Sequence, residues 1–250
     1  MSLAKKTLGR LLADTVLLIK ENILSLTGIV AVAYIPLGCL FLLFFWTTVI
    51  FKDSIDVVSP HKNILAIMLF FIFFVVVVTI AFLAMMIFSI AIIKKIKACD
   101  DQENLSIGET YRLSAAVLGS FCIVIFWAFI KVSLWSLLLI VPGIVFAIFY
   151  SFAQMAFILD EKKGISALVF SRGIIQSHFW EFVGKSFVAS LIFFVFSMVF
   201  GFFVYRVFPS KSGWDPIISG LLQNLINGFL GIFPLTFGYF LYKDLKERDA

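Results

Sequence analysis

Lys131 stands near the middle of an otherwise uncharged apolar segment that runs from Phe121 to Val141. On insertion scales, a cation at the centre of a membrane helix costs about 2.5 to 3.5 kcal/mol. A lysine retained there indicates contact with a ligand or anion, or a structural role with the amine neutral or bonded to carbonyls. We favour the structural role and keep the functional one open. Because the side chain cannot reach either interface from the middle of the bilayer core unless the bilayer thins, we expect it to face a bundle interior.

Other polar groups could meet Lys131 or bind headgroups. The candidate partners at a plausible depth are Gln154, Asn224 and Asn227. A separate set of cations follows the fourth apolar segment and comprises Lys162, Lys163 and Arg172. Such a set is typical of topogenic charge, and it could also bind a lipid phosphate.

No arrangement of residues favours catalysis or a metal site. His61 and His178 lie far apart in different loops, so they offer no nucleophile–base pair. The cysteines are three in number, widely spaced and without a CxxC motif, which argues against zinc or a disulfide framework. The sequence therefore predicts a protein that is not an enzyme and needs no cofactor.

The composition is that of a membrane protein. Of 250 residues, 62% are hydrophobic and 14% are charged, whereas soluble domains carry about 45–50% and about 25%. The net charge of +5 fits lysines that face anionic headgroups, not a nucleic-acid surface. We predict a single all-α membrane domain with lipids as partners.

Six apolar runs are long enough to suggest membrane-spanning helices, which need about 20 apolar residues. They cover residues 28–51, 64–93, 119–141, 144–159, 187–205 and 216–242. Pro142-Gly143 separates the third and fourth runs, and we favour an external turn there over a re-entrant break. Asp215-Pro216 is a helix-start signal for the sixth.

Three further segments predict amphipathic helices in the membrane interface. The first has apolar residues at helical spacing from Leu8 to Ile23. The second begins with a capping-box pattern from Ser106 to Glu109. The third covers Ile165 to Phe182.

The distribution of Lys and Arg predicts the orientation. Apart from Lys131, fifteen of these cations lie in the termini and the second and fourth loops, against four in the other loops. The positive-inside rule then places both termini in the cytoplasm. We expect the protein to reside in the cell inner (plasma) membrane as a multi-pass protein.

One stretch resembles a known family. Leu139-Ile-Val-Pro-Gly is followed by a short apolar run, then by Asp160, Gly164 and Ser171-Arg172. This pattern is similar to that of YciC-like proteins and of the membrane domain attached to some glycerophosphoryl diester phosphodiesterases. The resemblance implies a six-helix membrane fold and does not import catalysis, because in the fused proteins a separate soluble barrel carries the activity.

Two functions remain in view. The favoured one is a non-enzymatic membrane protein that handles lipids or small molecules, or supports membrane homeostasis. The alternative is a membrane scaffold or subunit for a separate enzyme or transporter. An inverted repeat of the kind found in secondary transporters is not evident.

Overall fold

The computed structural model describes residues 6–54, 60–207, 222 and 225–249, and in these ranges the chain forms helices and turns without a β-strand. The helices are α1 Leu8–Glu21, α2 Ile23–Ser54, α3 Pro60–Asp100, α4 Ile107–Ala116, α5 Leu118–Leu138, α6 Ile140–Phe149, α7 Ala153–Leu159, α8 Ile165–Ser177, α9 Phe179–Val207 and α10 Ile232–Asp249. A helical stretch at 225–230 leads into α10.

Six segments of the described chain are long and apolar enough to cross a membrane, which confirms the predicted all-α membrane bundle. They are Ile23–Phe44, Ile67–Asp100, Leu118–Leu137, Ile140–Leu159, Phe179–Phe203 and Leu225–Arg248. The predicted start signal Asp215-Pro216 lies outside the described residues.

The segments predicted as interfacial helices pack into the bundle. Thr7 caps α1 by accepting the Arg10 N–H, and α1 lies along α10. Ser106 Oγ accepts the Glu109 N–H at 3.2 Å, which confirms the helix start predicted for α4. The Tyr111 hydroxyl of α4 donates to the Ile29 carbonyl of α2 at 2.6 Å. Burial raises the pKa of Tyr111 to about 12, so this donor stays protonated.

The turn between α5 and α6 lies earlier than the predicted Pro142-Gly143 tip. Leu139 is the extended residue between the two helices, with φ −160° and ψ 137°. Pro142 therefore falls in the first turn of α6, where a missing N–H is tolerated. A Cβ at Gly143 would lie 2.8 Å from the Ser136 Cα and closer still to its hydroxyl. The glycine lets α5 and α6 pack backbone against backbone.

The fourth apolar run is not one continuous helix. It breaks after Phe149 and resumes at Ala153, so α6 and α7 together make the fourth span. Then α8 runs back against α7, and it buries one face made of Ala167, Leu168, Ser171, Ile174 and Ile175. The turn before α8 contains Gly164, whose φ of 55° favours glycine.

The main hydrophobic core surrounds α10. Residues on every side of this helix are buried, among them Phe237, Tyr239, Leu241 and Tyr242. The core brings in side chains from α1, α2, α3 and α9, including Leu11, Leu26, Ile92 and Phe182. A helix buried all round is typical of the centre of a bundle.

A buried ion-pair network holds the carboxyl-terminal half of α10. Lys185 of α9 lies 3.2 Å from Asp244 and 2.7 Å from Glu181, and Arg248 makes two hydrogen bonds to Glu181 at 3.0 and 3.1 Å. The Lys6 N–H donates to Asp244 at 3.2 Å. These contacts place the N-terminal segment and the end of α10 at the same end of the bundle.

Two further carboxylates extend this network, each bound by a tyrosine and a lysine four residues apart on α10. Asp100, at the end of α3, accepts from Tyr239 at 2.8 Å and pairs with Lys243 at 2.7 Å. Asp160, at the end of α7, accepts from Tyr242 and pairs with Lys246. These four side chains are spaced i, i+3, i+4 and i+7, which places them on one helix face, so one face of α10 binds the ends of both α3 and α7.

Candidate functional site: a cation–aromatic cluster on α5 and α6

Lys131 takes part in a ladder of side chains between α5 and α6. Its Nζ lies 5.8 Å from the centre of the Tyr150 ring. One turn along α5, Trp135 stacks on Phe146 with ring centres 4.6 Å apart and planes within 10°. Phe146 of α6 and Tyr150, the residue that follows α6, are four residues apart, and their ring centres are separated by 5.9 Å. The i, i+4 spacing on both helices produces this register.

Arg172 of α8 approaches the same rings. Its guanidinium carbon lies 5.7 Å from the centres of both Phe146 and Phe149. Both distances are within the range of a cation–π contact. We call Lys131, Trp135, Phe146, Tyr150 and Arg172 the cation–aromatic cluster.

The polar atoms of this cluster are mainly hydrogen-bond donors. Lys131, Arg172 and the Trp135 indole can only donate, and the Tyr150 hydroxyl can donate as well. Within the described chain, none of these four side chains makes a hydrogen bond or an ion pair. Lys131 and Tyr150 are half-buried and Arg172 and Trp135 are exposed, so a ligand can reach them. A surface of accessible donors with two positive charges is suited to an anion.

The backbone N–H groups at the break between α6 and α7 are hydrogen-bonded within the protein. Ser171 Oγ donates to the Phe149 carbonyl at 2.7 Å and accepts the Phe152 N–H at 3.1 Å. The remaining N–H groups of the break bond to carbonyls of α6 and of Tyr150. The break therefore positions Tyr150 and leaves ligand contacts to side chains.

The placement of Lys131 differs from the expected bundle interior. The side chain is half-exposed and lies over Tyr150, which sequence analysis did not single out. Gln154 lies half-buried in α7, and Asn227 lines an apolar groove of about 620 Å³ between α2 and α3. Asn224 lies outside the described residues.

The three residues predicted as headgroup ligands lie in three different surroundings. Arg172 belongs to the cluster, whereas Lys162 lies over a different ring, Phe170, at 5.3 Å. Lys163 is exposed in the turn before α8. Spacing along the chain could not make this distinction, because it depends on which face of α8 meets α6.

A polar cleft of about 770 Å³ between α1, α3 and α10 is the other notable cavity. Its charges are largely satisfied by one another. Lys6 pairs with Asp14 at 2.8 Å, and Lys243 pairs with Asp100. The buried Lys95 donates to the Leu105 carbonyl at 2.5 Å. The cations that line the cleft are thus compensated, unlike those of the cation–aromatic cluster.

Fold and site together define a multi-pass helical membrane protein with a cationic cluster on one pair of helices. Comparisons with protein-family models, curated proteins and solved structures found no match for this chain. The resemblance to YciC-like proteins stays a prediction.

Proposed function

We propose that this chain is a non-enzymatic protein of the cell inner membrane that binds and organises anionic lipids. One observation carries the proposal: the donors of the cation–aromatic cluster, Lys131 and Arg172 foremost, make no hydrogen bond or ion pair within the described chain. The carboxylates of Asp100, Asp160, Glu181 and Asp244 are held in the α10 ion-pair network.

The membrane setting supports an anionic lipid as the missing partner. Lys131 lies within the span Leu118–Leu137, where an uncompensated ammonium is costly. Lipid phosphates supply negative charge close to membrane helices, and basic pockets between helices bind such headgroups. Exposed apolar residues of α6, including Ile140, Val141 and Ile144, offer a surface for the acyl chains.

We also propose kinship with the YciC-like proteins, because the residues that carry the resemblance work together in the fold. Gly143 allows α5 and α6 to approach, Asp160 bonds to α10, Gly164 takes a positive φ, and Ser171 closes the α6–α7 break. These roles are structural, and they position Arg172. They support a binding protein and supply no catalytic group.

Native mass spectrometry of the protein extracted in mild detergent tests the function. We expect wild-type protein to retain anionic phospholipid, and the double variant Lys131→Gln/Arg172→Gln to lose it. The matched control Lys20→Gln/Lys97→Gln removes two exposed cations from other helices and should retain the lipid. Equal lipid retention by both double variants would refute the proposal that Lys131 and Arg172 form the lipid-binding site. A stoichiometric protein partner without retained lipid would support the scaffold alternative.

We further propose that the end of the bundle that carries the α10 ion-pair network faces the cytoplasm, as the positive-inside rule predicts. Single cysteines introduced as Lys163→Cys and Lys62→Cys, in a protein whose Cys39, Cys99 and Cys122 are replaced by serine, test this. We expect an impermeant thiol reagent added outside to label position 62 and not position 163. Labelling of both positions from outside would contradict the orientation.

A further inference from the structure

We infer that the cation–aromatic cluster selects lipids whose headgroup is a phosphate monoester, the phosphatidic-acid type, over phosphodiester lipids. This inference rests on the proposed function and names its ligand. It is drawn from the number of charges in the cluster and from the number and placement of its donors.

The charge of the cluster exceeds that of a phosphodiester. Lys131 and Arg172 together carry two positive charges, and no ion pair to a carboxylate within the described residues offsets either of them. A phosphodiester contributes one negative charge and would leave one cation uncompensated. A phosphate monoester carries about −1.5 to −2 at pH 7, which matches the pair.

The placement of the donors fits a terminal phosphate. Lys131 lies over Tyr150, and Arg172 lies over the neighbouring Phe146 ring, whose centre is 5.9 Å away. A phosphate bound beside these two neighbouring rings would have the Lys131 ammonium, the Arg172 guanidinium and the Tyr150 hydroxyl as its donors. A monoester has three unsubstituted oxygens for these three donors, whereas a diester has two. Guanidinium binds phosphate in a two-pronged geometry, and ammonium acts as a point charge.

Zwitterionic headgroups fit the cluster poorly. Aromatic rings alone can hold a quaternary ammonium group, but here a cation already covers Tyr150 and another covers Phe146 and Phe149. A choline group at these rings would meet like charges. The cluster therefore discriminates by charge against choline headgroups.

The test is a competitive titration of delipidated protein, followed by native mass spectrometry, with phosphatidic acid, phosphatidylglycerol and phosphatidylcholine of identical acyl chains. We expect wild-type protein to bind phosphatidic acid about tenfold more tightly than phosphatidylglycerol, since one more charge-assisted hydrogen bond is made. Lys131→Gln and Arg172→Gln should each abolish that preference, while Lys97→Gln should keep it. The preference should shrink as the pH falls below about 6, where the monoester takes up a proton.

Three outcomes would overturn the inference. They differ in whether they also refute the proposed binding of anionic lipids. Equal affinity for phosphatidic acid and phosphatidylglycerol, both lost in the variants, would refute monoester selection and leave anionic-lipid binding standing. Equal affinity for all three lipids would refute the proposed function as well. Displacement of bound phosphatidic acid by excess glycerol 3-phosphate would assign the site to soluble phosphate esters and remove the lipid assignment.

Discussion

Ser171 completes the hydrogen bonding of the chain where α6 ends and α7 begins. Its hydroxyl is fully buried and bonds to Phe149 and Phe152 on the two sides of the break. The next residue along α8 is Arg172, which reaches the aromatic rings of α6. One buried hydroxyl thus fixes both the break that presents Tyr150 and the position of a cluster cation.

Replacement of Ser171 by alanine should destabilise the protein by about 1 to 3 kcal/mol, because the buried Phe152 N–H loses its acceptor. Unfolding by a denaturing detergent measures the change. Ser151→Ala is the control, since the exposed Ser151 hydroxyl bonds only to the Ile148 carbonyl, and a change of about 0.5 kcal/mol or less is expected there. Equal effects of the two substitutions would contradict the role assigned to Ser171.

At the scale of elements, the α5–α6 pair is the scaffold of the cation–aromatic cluster. The close approach of Gly143 to Ser136 sets the distance between the helices, and one turn away Trp135 stacks on Phe146. Continuing the same register, Lys131 meets Tyr150. The glycine is therefore a positioning residue for the cluster without belonging to it.

Gly143→Ala should force α5 and α6 apart, because the added methyl group would overlap Ser136 main-chain and side-chain atoms. Overpacking of this kind destabilises by about 1 to 3 kcal/mol, and we expect anionic-lipid binding to fall with it. The control is Gly119→Ala in α5, where a Cβ meets no atom within 4 Å, and it should be neutral or stabilising by up to about 1 kcal/mol. Unfolding and lipid retention measured together check both. Unchanged lipid binding in Gly143→Ala would refute the positioning role.

Sequence patterns predict some elements of this site and miss others for physical reasons. Apolar run lengths predict the spans, and the Ser106 capping pattern predicts the start of α4. The break at 150–152 contains no proline or glycine, so the local sequence carries no helix-breaking signal there. The partner of Lys131 depends on that break and on tertiary packing of α6, which is why Tyr150 was missed.

At the scale of the whole molecule, α10 forms ion pairs with three other helices of the bundle. Its last turns bind carboxylates or ammonium groups at the end of α3, the end of α7 and the start of α9. The periodicity of Tyr239, Tyr242 and Lys243 in sequence gave no sign of these pairings, because partners such as Asp100 and Asp160 lie far away along the chain. Cations that the positive-inside rule counts as orientation signals, such as Lys185, Lys243 and Lys246, therefore also form ion pairs that stabilise the fold.

Asp244→Asn should lower stability by about 3 kcal/mol, the low end for a broken buried ion pair because Glu181 remains beside Lys185. The matched control is Asp14→Asn, which breaks the largely exposed pair with Lys6 and should cost about 0 to 1 kcal/mol. Detergent-induced unfolding at low and high salt checks this. Added salt should weaken the Asp14 pair and leave the Asp244 effect nearly unchanged. Equal losses in the two variants would contradict a buried network.

The most direct measurement of the central claim is a high-resolution density map of the protein in nanodiscs of its native lipids. We expect headgroup phosphate density within hydrogen-bonding distance of both the Lys131 ammonium and the Arg172 guanidinium, beside the Tyr150 ring, and no such density in the Lys131→Gln/Arg172→Gln variant. A map in which a carboxylate of this chain pairs with Lys131, with no lipid phosphate at the cluster, would contradict the account.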